Sequence, residues 1–419
     1  MDFAQLQGIL GLFVFVGIAY AISTDRKSVN WRTVGGGIGL QIFFAIIVLK
    51  TEFGKSFFEQ ISYGVTKLLN FTAEGSSFVF GSLAGGNDSI GFVFAFMVLP
   101  TIIFFSAFMS VLYHLNIMQF IVKGMAWVMK RTMQISGAES IAVAANTFVG
   151  QTEAPLVVKP YVGKMTTSEL MALMTGGFAT IAGGVLAAYI LFLGGDDPIK
   201  QLEFTKHLLA ASLMSAPAAL VMAKIMIPET EQSSFTDDGD GFHFEKSTTN
   251  VIDAAASGAA DGLQLALNVG AMLLAFIALI ALANYPLEIL GGWIGVPDLS
   301  LTKIFGYVFS IFAFVIGAPW SESIELGGLL GVKVAVNEFV AYAELGKLGS
   351  TGVISERTEI IGTYALCGFA NFSSIAIQIG GIGGIAPERK KDLAKIGLKA
   401  MIGGAFASWM TASIAGVLI

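Results

Sequence analysis

The sequence predicts an all-α integral membrane protein: eight transmembrane helices plus two oppositely oriented re-entrant helical hairpins, an inverted repeat with two broken helices. Three observations point there. Mean hydropathy is +0.75, and charged residues make up 13% of the 419-residue chain, about half the share usual in a soluble domain. Polar runs containing proline or asparagine interrupt apolar segments whose arms reach only about halfway across a bilayer. A four-residue motif in one apolar segment also returns, nearly unchanged, in a second.

Apolar runs able to cross about 30 Å of hydrocarbon occupy 3–22, 34–49, 90–113, 168–193, 207–227, 263–284, 354–384 and 392–419. The first could be mistaken for a cleaved leader because Ala19-Tyr20-Ala21 follows it. Met1-Asp2-Phe3 carries no basic flank, however, and Arg26, Lys27 and Arg32 come after the run, so it reads as an uncleaved span. Eight crossings leave both termini on one side. Placing Arg26/Lys27/Arg32, Lys123/Lys130/Arg131 and Arg389/Lys390/Lys391 inside puts both termini outside. The net charge of −6 adds nothing to this, since orientation follows the placement of Lys and Arg.

Four regions follow. Residues 1–113 hold the N-terminal spans and a surface helix, 114–227 a first repeat, 228–262 a cytoplasmic loop and interfacial segment, and 263–419 a second repeat. Within the first, 54–70 places Phe57, Ile61, Val65, Leu68 and Leu69 on one helical face, as in an amphipathic helix on the outer surface. The run 303–318 ends at Ala318-Pro319 and reads as a surface or partly inserted helix. Asp237, Asp238 and Asp240 mark 228–250 as a solvated acidic loop rather than a calcium site.

The hairpins are 138–165 and 321–346. Gln151, Thr152 and Glu153 mark the tip of the first, next to Pro155, which forbids a continuous helix. Asn337-Glu338 marks the second, and Glu322-Ser323-Ile324 echoes Glu139-Ser140-Ile141 at the mouths, where the two glutamates read as capping or solvated. Carboxylates at membrane depth face a cavity or a partner, because lipid rejects them. Gly177-Phe178-Ala179-Thr180 then recurs as Gly368-Phe369-Ala370-Asn371 inside the spans 168–193 and 354–384. Glycine and hydroxyl residues at mid-span favour unwinding, which frees backbone carbonyls for a cation. Hairpin plus broken helix, twice and in opposite senses, is the plan of secondary transporters with a midplane site. Taken alone, Asn371 and Ser374 also fit simple helix–helix hydrogen bonding.

Other classes find less support. Cys367 is the single cysteine, so no intramolecular disulfide or cysteine-rich metal site exists, and His114, His207 and His243 are scattered. No nucleophile–base pair is visible for a membrane enzyme. A channel needs a continuous polar path, whereas these polar groups gather at two tips and two breaks.

Asn146-Thr-Phe-Val-Gly-Gln-Thr-Glu-Ala-Pro155, Asn337-Glu338 with Phe339-Val340-Ala341-Tyr342, and Cys367-Gly-Phe-Ala-Asn-Phe-Ser-Ser374 together resemble the concentrative nucleoside transporters, bacterial members above all. The resemblance covers nearly the whole chain. It implies a homotrimer in the lipid bilayer of a bacterial inner membrane, termini on the periplasmic side, importing nucleosides down a cation gradient. It implies base contacts from Gln151, Thr152, Val185 and Phe369, with Glu153 close by. It assigns the ribose hydroxyls to Glu338, Asn371 and Ser374, where a carboxylate makes strong charge-assisted bonds. It assigns Na+ to the carbonyls of Asn146, Val149 and Ile181 with Thr180, all of them oxygen donors suited to a hard cation. Thr180 stands where sodium-coupled relatives often carry Ser, which leaves proton coupling through Glu153 or Glu338 as the second reading. Nothing in the sequence calls for an organic cofactor or a nucleic-acid partner.

Overall fold

The computed structural model describes residues 3–84, 93–195, 197–231, 233, 248–296 and 298–419; Asp237, Asp238, Asp240 and His243 lie outside them. Among the described residues all regular structure is helical. Six helical segments among the described residues are long and apolar enough to cross a membrane: Trp31–Lys50, Phe94–His114, Thr167–Gly194, Pro198–Met226, Val251–Ile294 and Pro387–Leu418.

Helices α1 (Phe3–Ala21) and α2 (Trp31–Lys50) are joined through Asn30, whose side chain accepts from the Arg32 and Thr33 amides. Helix α3 (Glu52–Phe80) begins on the Thr51 cap and runs ten residues beyond the expected end at 70. Asn70, Thr72, Ser76 and Ser77 are poor helix formers, but none is a stop; the stop is Gly81 at φ +59°, a value that favours glycine. Its apolar face is only partly used. Leu69 is buried and Val65 and Leu68 pack on the core, while Phe57 and Ile61 remain exposed.

Next come the short α4 (Phe94–Met97), α5 (Leu99–His114) and α6 (Ile117–Met133). The sequence reading passed over α6. It buries Met118, Val122, Ala126, Met129 and Met133 on one face and exposes Phe120 and Trp127 on the other. Helix α7 (Gly137–Asn146) opens with a capping box between Ser136 and Glu139. After the turn at 147–153 the chain returns not as a twelve-residue arm but as two single-turn helices, α8 (Ala154–Val157) and α9 (Lys159–Val162). Pro155 and Pro160 each remove an amide donor near a helix start and prevent continuation from the preceding turn.

Helices α10 (Thr167–Ala179) and α11 (Gly183–Gly194) are separated by an extended link at 180–182, and α12 (Pro198–Met226) follows, buried along most of its length. Helix α13 (Val251–Ile294) has 44 residues, about 66 Å of helix. It runs straight through the boundary expected at 262/263. Gly258 and Gly262 seat it on α5: a Cβ at either would lie 2.6 or 2.7 Å from the β-carbons of Ser110 and Ser106. Its other face, with Leu274, Leu282 and Trp293, is exposed.

Helix α14 (Leu301–Ile316) packs along α15 (Ser323–Ala335), contrary to a purely surface placement, because Gly306, Gly327, Gly328 and Gly331 remove the side chains between them. Asn337 caps α16 (Glu338–Ser350), its side chain accepting from the Val340 amide at 3.0 Å. Helices α17 (Glu356–Ala365) and α18 (Phe372–Ile385) flank a link at 366–371, and α19 (Lys390–Leu418) closes the chain against α1, α10 and α12.

The two links meet. Gly368 stands at φ +96°, and an added Cβ would overlap the Phe178 carbonyl oxygen and lie 2.6 Å from the Ala179 carbonyl carbon. The two copies of the Gly-Phe-Ala motif therefore touch backbone to backbone. Gly368→Ala is expected to cost about 3 kcal/mol from combined strain and overlap. Gly384→Ala, in an open position on α18, should be neutral or stabilising by up to about 1 kcal/mol. Thermal unfolding midpoints of the detergent-solubilised variants test the contrast; equal midpoints would refute it.

Candidate functional site

The polar residues of the first turn, α16 and α18 join in one buried chain of hydrogen bonds. Asn371, the N-cap of α18, accepts on Oδ1 from the Ser374 amide at 2.8 Å and the Ser373 hydroxyl at 2.7 Å. Its Nδ2 donates to Glu338 Oε2 at 3.1 Å, and Tyr189 of α11 donates to Oε1 at 3.1 Å. Both oxygens of Glu338 thus accept, as a carboxylate does. Glu338 is also the first residue of α16, where the helix dipole favours an anion. On the other side Gln151 donates to Ser374 Oγ at 3.0 Å and accepts from Gln378 at 3.1 Å. Four sequence-predicted residues, Gln151, Glu338, Asn371 and Ser374, are therefore brought together, each under 10% exposed.

Val185 is buried one helical turn before Tyr189, and Phe369 is half-buried in the link just ahead of Asn371. Thr152 and Glu153 lie outside this chain of hydrogen bonds, Thr152 with its methyl beside Gly381 of α18. Both are exposed, and Glu153 folds back over Gly150 and lines a cavity of about 790 Å³. Tyr113, Asp261 and Leu265 face it there from α5 and α13. Glu153 and Glu338 therefore do not share one hydrogen-bonded cluster. The cavity does reach Val149, Gly150, Ala182 and Gly184, the neighbours of Gln151 and Val185.

Beside it lie the residues predicted to hold a cation. Thr180 Oγ1 donates to the Asn146 carbonyl at 2.7 Å and the Gly176 carbonyl at 2.9 Å. Val149 is half-buried in the cavity wall, and Ile181 is buried in the extended link. Asn146 Nδ2 donates to the carbonyls of Ala142 at 3.1 Å and Leu173 at 3.5 Å, which fixes the amide orientation. Its Oδ1 is left buried without a hydrogen-bond partner. A buried oxygen that no donor satisfies, among main-chain carbonyls, suits a hard cation.

Three network members escaped the sequence reading, although each left a trace. Tyr189 and Gln378 lie four residues after Val185 and Ser374, hence on the same helical faces. Lys333 is a lone charge in an apolar, glycine-rich run. It is fully buried, and its ammonium donates to Ala365 O at 3.0 Å, Cys367 O at 2.8 Å and Ser408 Oγ at 2.9 Å. Ser408 also donates to backbone carbonyls of α19, so the Lys333 nitrogen stands at the centre of three converging oxygens. The mouths differ. Glu139 is buried, ion-paired to Lys224 at 2.6 Å, besides capping α7; Glu322 accepts from the Ser355 amide and hydroxyl. His207 and Tyr364 bond to each other in the core, and His114 bonds Thr248.

Lys333→Met would leave the carbonyls at the end of α17 without these donors. It is expected to lower stability by about 3 kcal/mol or more, with Lys333→Arg no better because the planar guanidinium does not fit three converging oxygens. Denaturation in detergent measures this; wild-type stability for Lys333→Met would contradict the capping role.

Comparison with known proteins gives the family. Residues 207–416 match the family model described as Na+ dependent nucleoside transporter C-terminus, 10–83 its N-terminal counterpart, and 95–196 a gate model described as nucleoside recognition. An uncharacterized transporter of Haemophilus influenzae is 48% identical over 418 residues, covering 99% of this chain and 98% of the relative. Rat sodium/nucleoside cotransporter 1 is 42% identical over 427 residues, covering 99% of this chain and 64% of that longer protein. The solved structure of CNTnw in an inward-facing substrate-bound state superposes with a TM-score of 0.91 at 43% identity, covering 99% of this chain and 98% of that one. These relatives are membrane transporters, not enzymes. With matches that run the length of the chain, this protein belongs to the family of Na+-dependent nucleoside transporters.

Proposed function

We propose that the protein imports nucleosides, uridine among them, by symport with Na+, through alternating access around a midplane site. The observation that carries this reading is the buried hydrogen-bonded chain Gln151–Ser374–Asn371–Glu338. It draws on both halves of the sequence and holds a carboxylate, the group that best accepts from vicinal ribose hydroxyls. Gln151, Thr152, Val185 and Phe369 take the base, and Glu338, Asn371 and Ser374 take the sugar. Glu153, on the cavity side, contributes through water or guards the approach.

Na+ sits among the oxygens of Asn146, Val149, Thr180 and Ile181. The unpartnered Asn146 Oδ1 supports this placement and adds a ligand beyond the main-chain carbonyls. The contact of the two Gly-Phe-Ala links supports an inverted repeat, with eight spans and two re-entrant segments, the second arm of the first segment broken at Pro155 and Pro160. In this reading the chain forms a homotrimer in a bacterial inner membrane with periplasmic termini. The exposed apolar face of α13 is available to lipid or to neighbouring protomers.

Purified protein in liposomes should accumulate uridine when Na+ is high outside, with no need for a pH gradient. Accumulation that follows protons and ignores Na+ would overturn the Na+ assignment in favour of proton coupling. Glu338→Ala should abolish uridine binding, a loss of about a hundredfold or more, with the protein still folded. An unchanged uridine affinity in that variant would remove Glu338 from the sugar site.

A further inference from the structure

The hydrogen-bonded chain has a direction, and one residue outside the proposed contact set imposes it. Gln378 of α18 is buried, and its Nε2 donates both to the Met174 carbonyl at 3.2 Å and to Gln151 Oε1 at 3.1 Å. A main-chain carbonyl only accepts, so the amide nitrogen of Gln378 must face Met174. The same nitrogen then meets Gln151, which must present its oxygen. The Gln151 nitrogen is thereby turned toward Ser374 Oγ. Space for this arrangement comes from Gly177: a Cβ there would stand 2.8 Å from Gln378 Nε2 and 3.0 Å from Gln151 Cβ.

We infer that Gln378 is a positioning residue that locks the Gln151 carboxamide in one of its two orientations and so sets which nucleobase edge the site accepts. This rests on the reading that Gln151 meets the base. An amide rotated by a half-turn swaps donor for acceptor with almost no change of shape, so packing alone cannot hold it. The two fixed bonds leave Gln151 one N–H and one lone pair for a ligand, at fixed positions. A 4-keto pyrimidine edge offers an acceptor beside an N–H; a 4-amino edge offers a donor beside a bare ring nitrogen. A locked amide tells them apart, whereas a free one serves both.

The test is competition of unlabelled uridine and cytidine against labelled uridine on the full-length protein in detergent with saturating NaCl. Wild type is expected to separate the two nucleosides by about tenfold. Gln378→Met should narrow the ratio to within about twofold, with the Na+ dependence of binding unchanged, because the amide is then free to turn. Gln378→Asn keeps a polar group in the core but draws it back by one methylene, and should give the same narrowing if the Met variant does not fold. A ratio that shifts in Gln151→Ala but stays at the wild-type value in the Gln378 variants overturns the inference alone. A ratio untouched in Gln151→Ala removes Gln151 from the base and the inference with it.

Discussion

Two helices stop inside a dense apolar core, and the backbone groups they leave behind must be satisfied there. The structure answers with side chains, some local and some from other helices. Thr180 takes the Gly176 carbonyl, Tyr342 takes Thr363, and Lys333 takes Ala365 and Cys367. On the amino side, the Gly183 amide of α11 donates to Phe148 in the first turn, and Asn371 accepts from Ser374. The residues that satisfy the breaks, or neighbour those that do, are the ones proposed to meet nucleoside and ion. On that proposal site and scaffold are one network.

That network needs close backbone approach, which explains where glycine is spent. Gly368 at its positive φ lets the two links cross, and Gly177 makes room for two glutamine side chains. Along α14 and α15 glycines serve a different end, removing side chains so that two helices lie nearly in backbone contact. The close approach at Gly368 and the hydrogen bonds from Gln151 to α18 both join the halves of the chain, the first by steric fit and the second by polar pairing.

Much of the membrane character and the polar centre was legible, because lipid leaves few reasons for a polar residue inside an apolar run. Gln151, Glu338, Asn371 and Ser374 stand out on that ground, and the structure joins them. Glu153 stands out equally and yet lies on the cavity side; hydropathy reports that a residue is polar but not which way a tip turns. Gln378 and Tyr189 were overlooked as single polar residues on apolar helices, although spacing places them beside Ser374 and Val185. The length of α13 and the presence of α6 were hidden for another reason. Their outer turns are amphipathic or small-residue helix, and a hydropathy window registers only the most apolar stretch.

Lys333 stands in the last turn of α15 and Glu338 opens α16, so a cation and an anion belong to one helix–turn–helix. Any shift of that segment along the membrane normal moves both together. To the transmembrane field that pair alone is a dipole, but Glu325, Glu344 and Lys347 ride on the same two helices and bring the formal total to one negative charge. The electrical work on that total depends on how far it moves through the field, up to about 2.3 kcal/mol for one elementary charge crossing 100 mV. Membrane voltage therefore acts on this segment through a single net charge, as well as on whatever charge the protein carries as cargo.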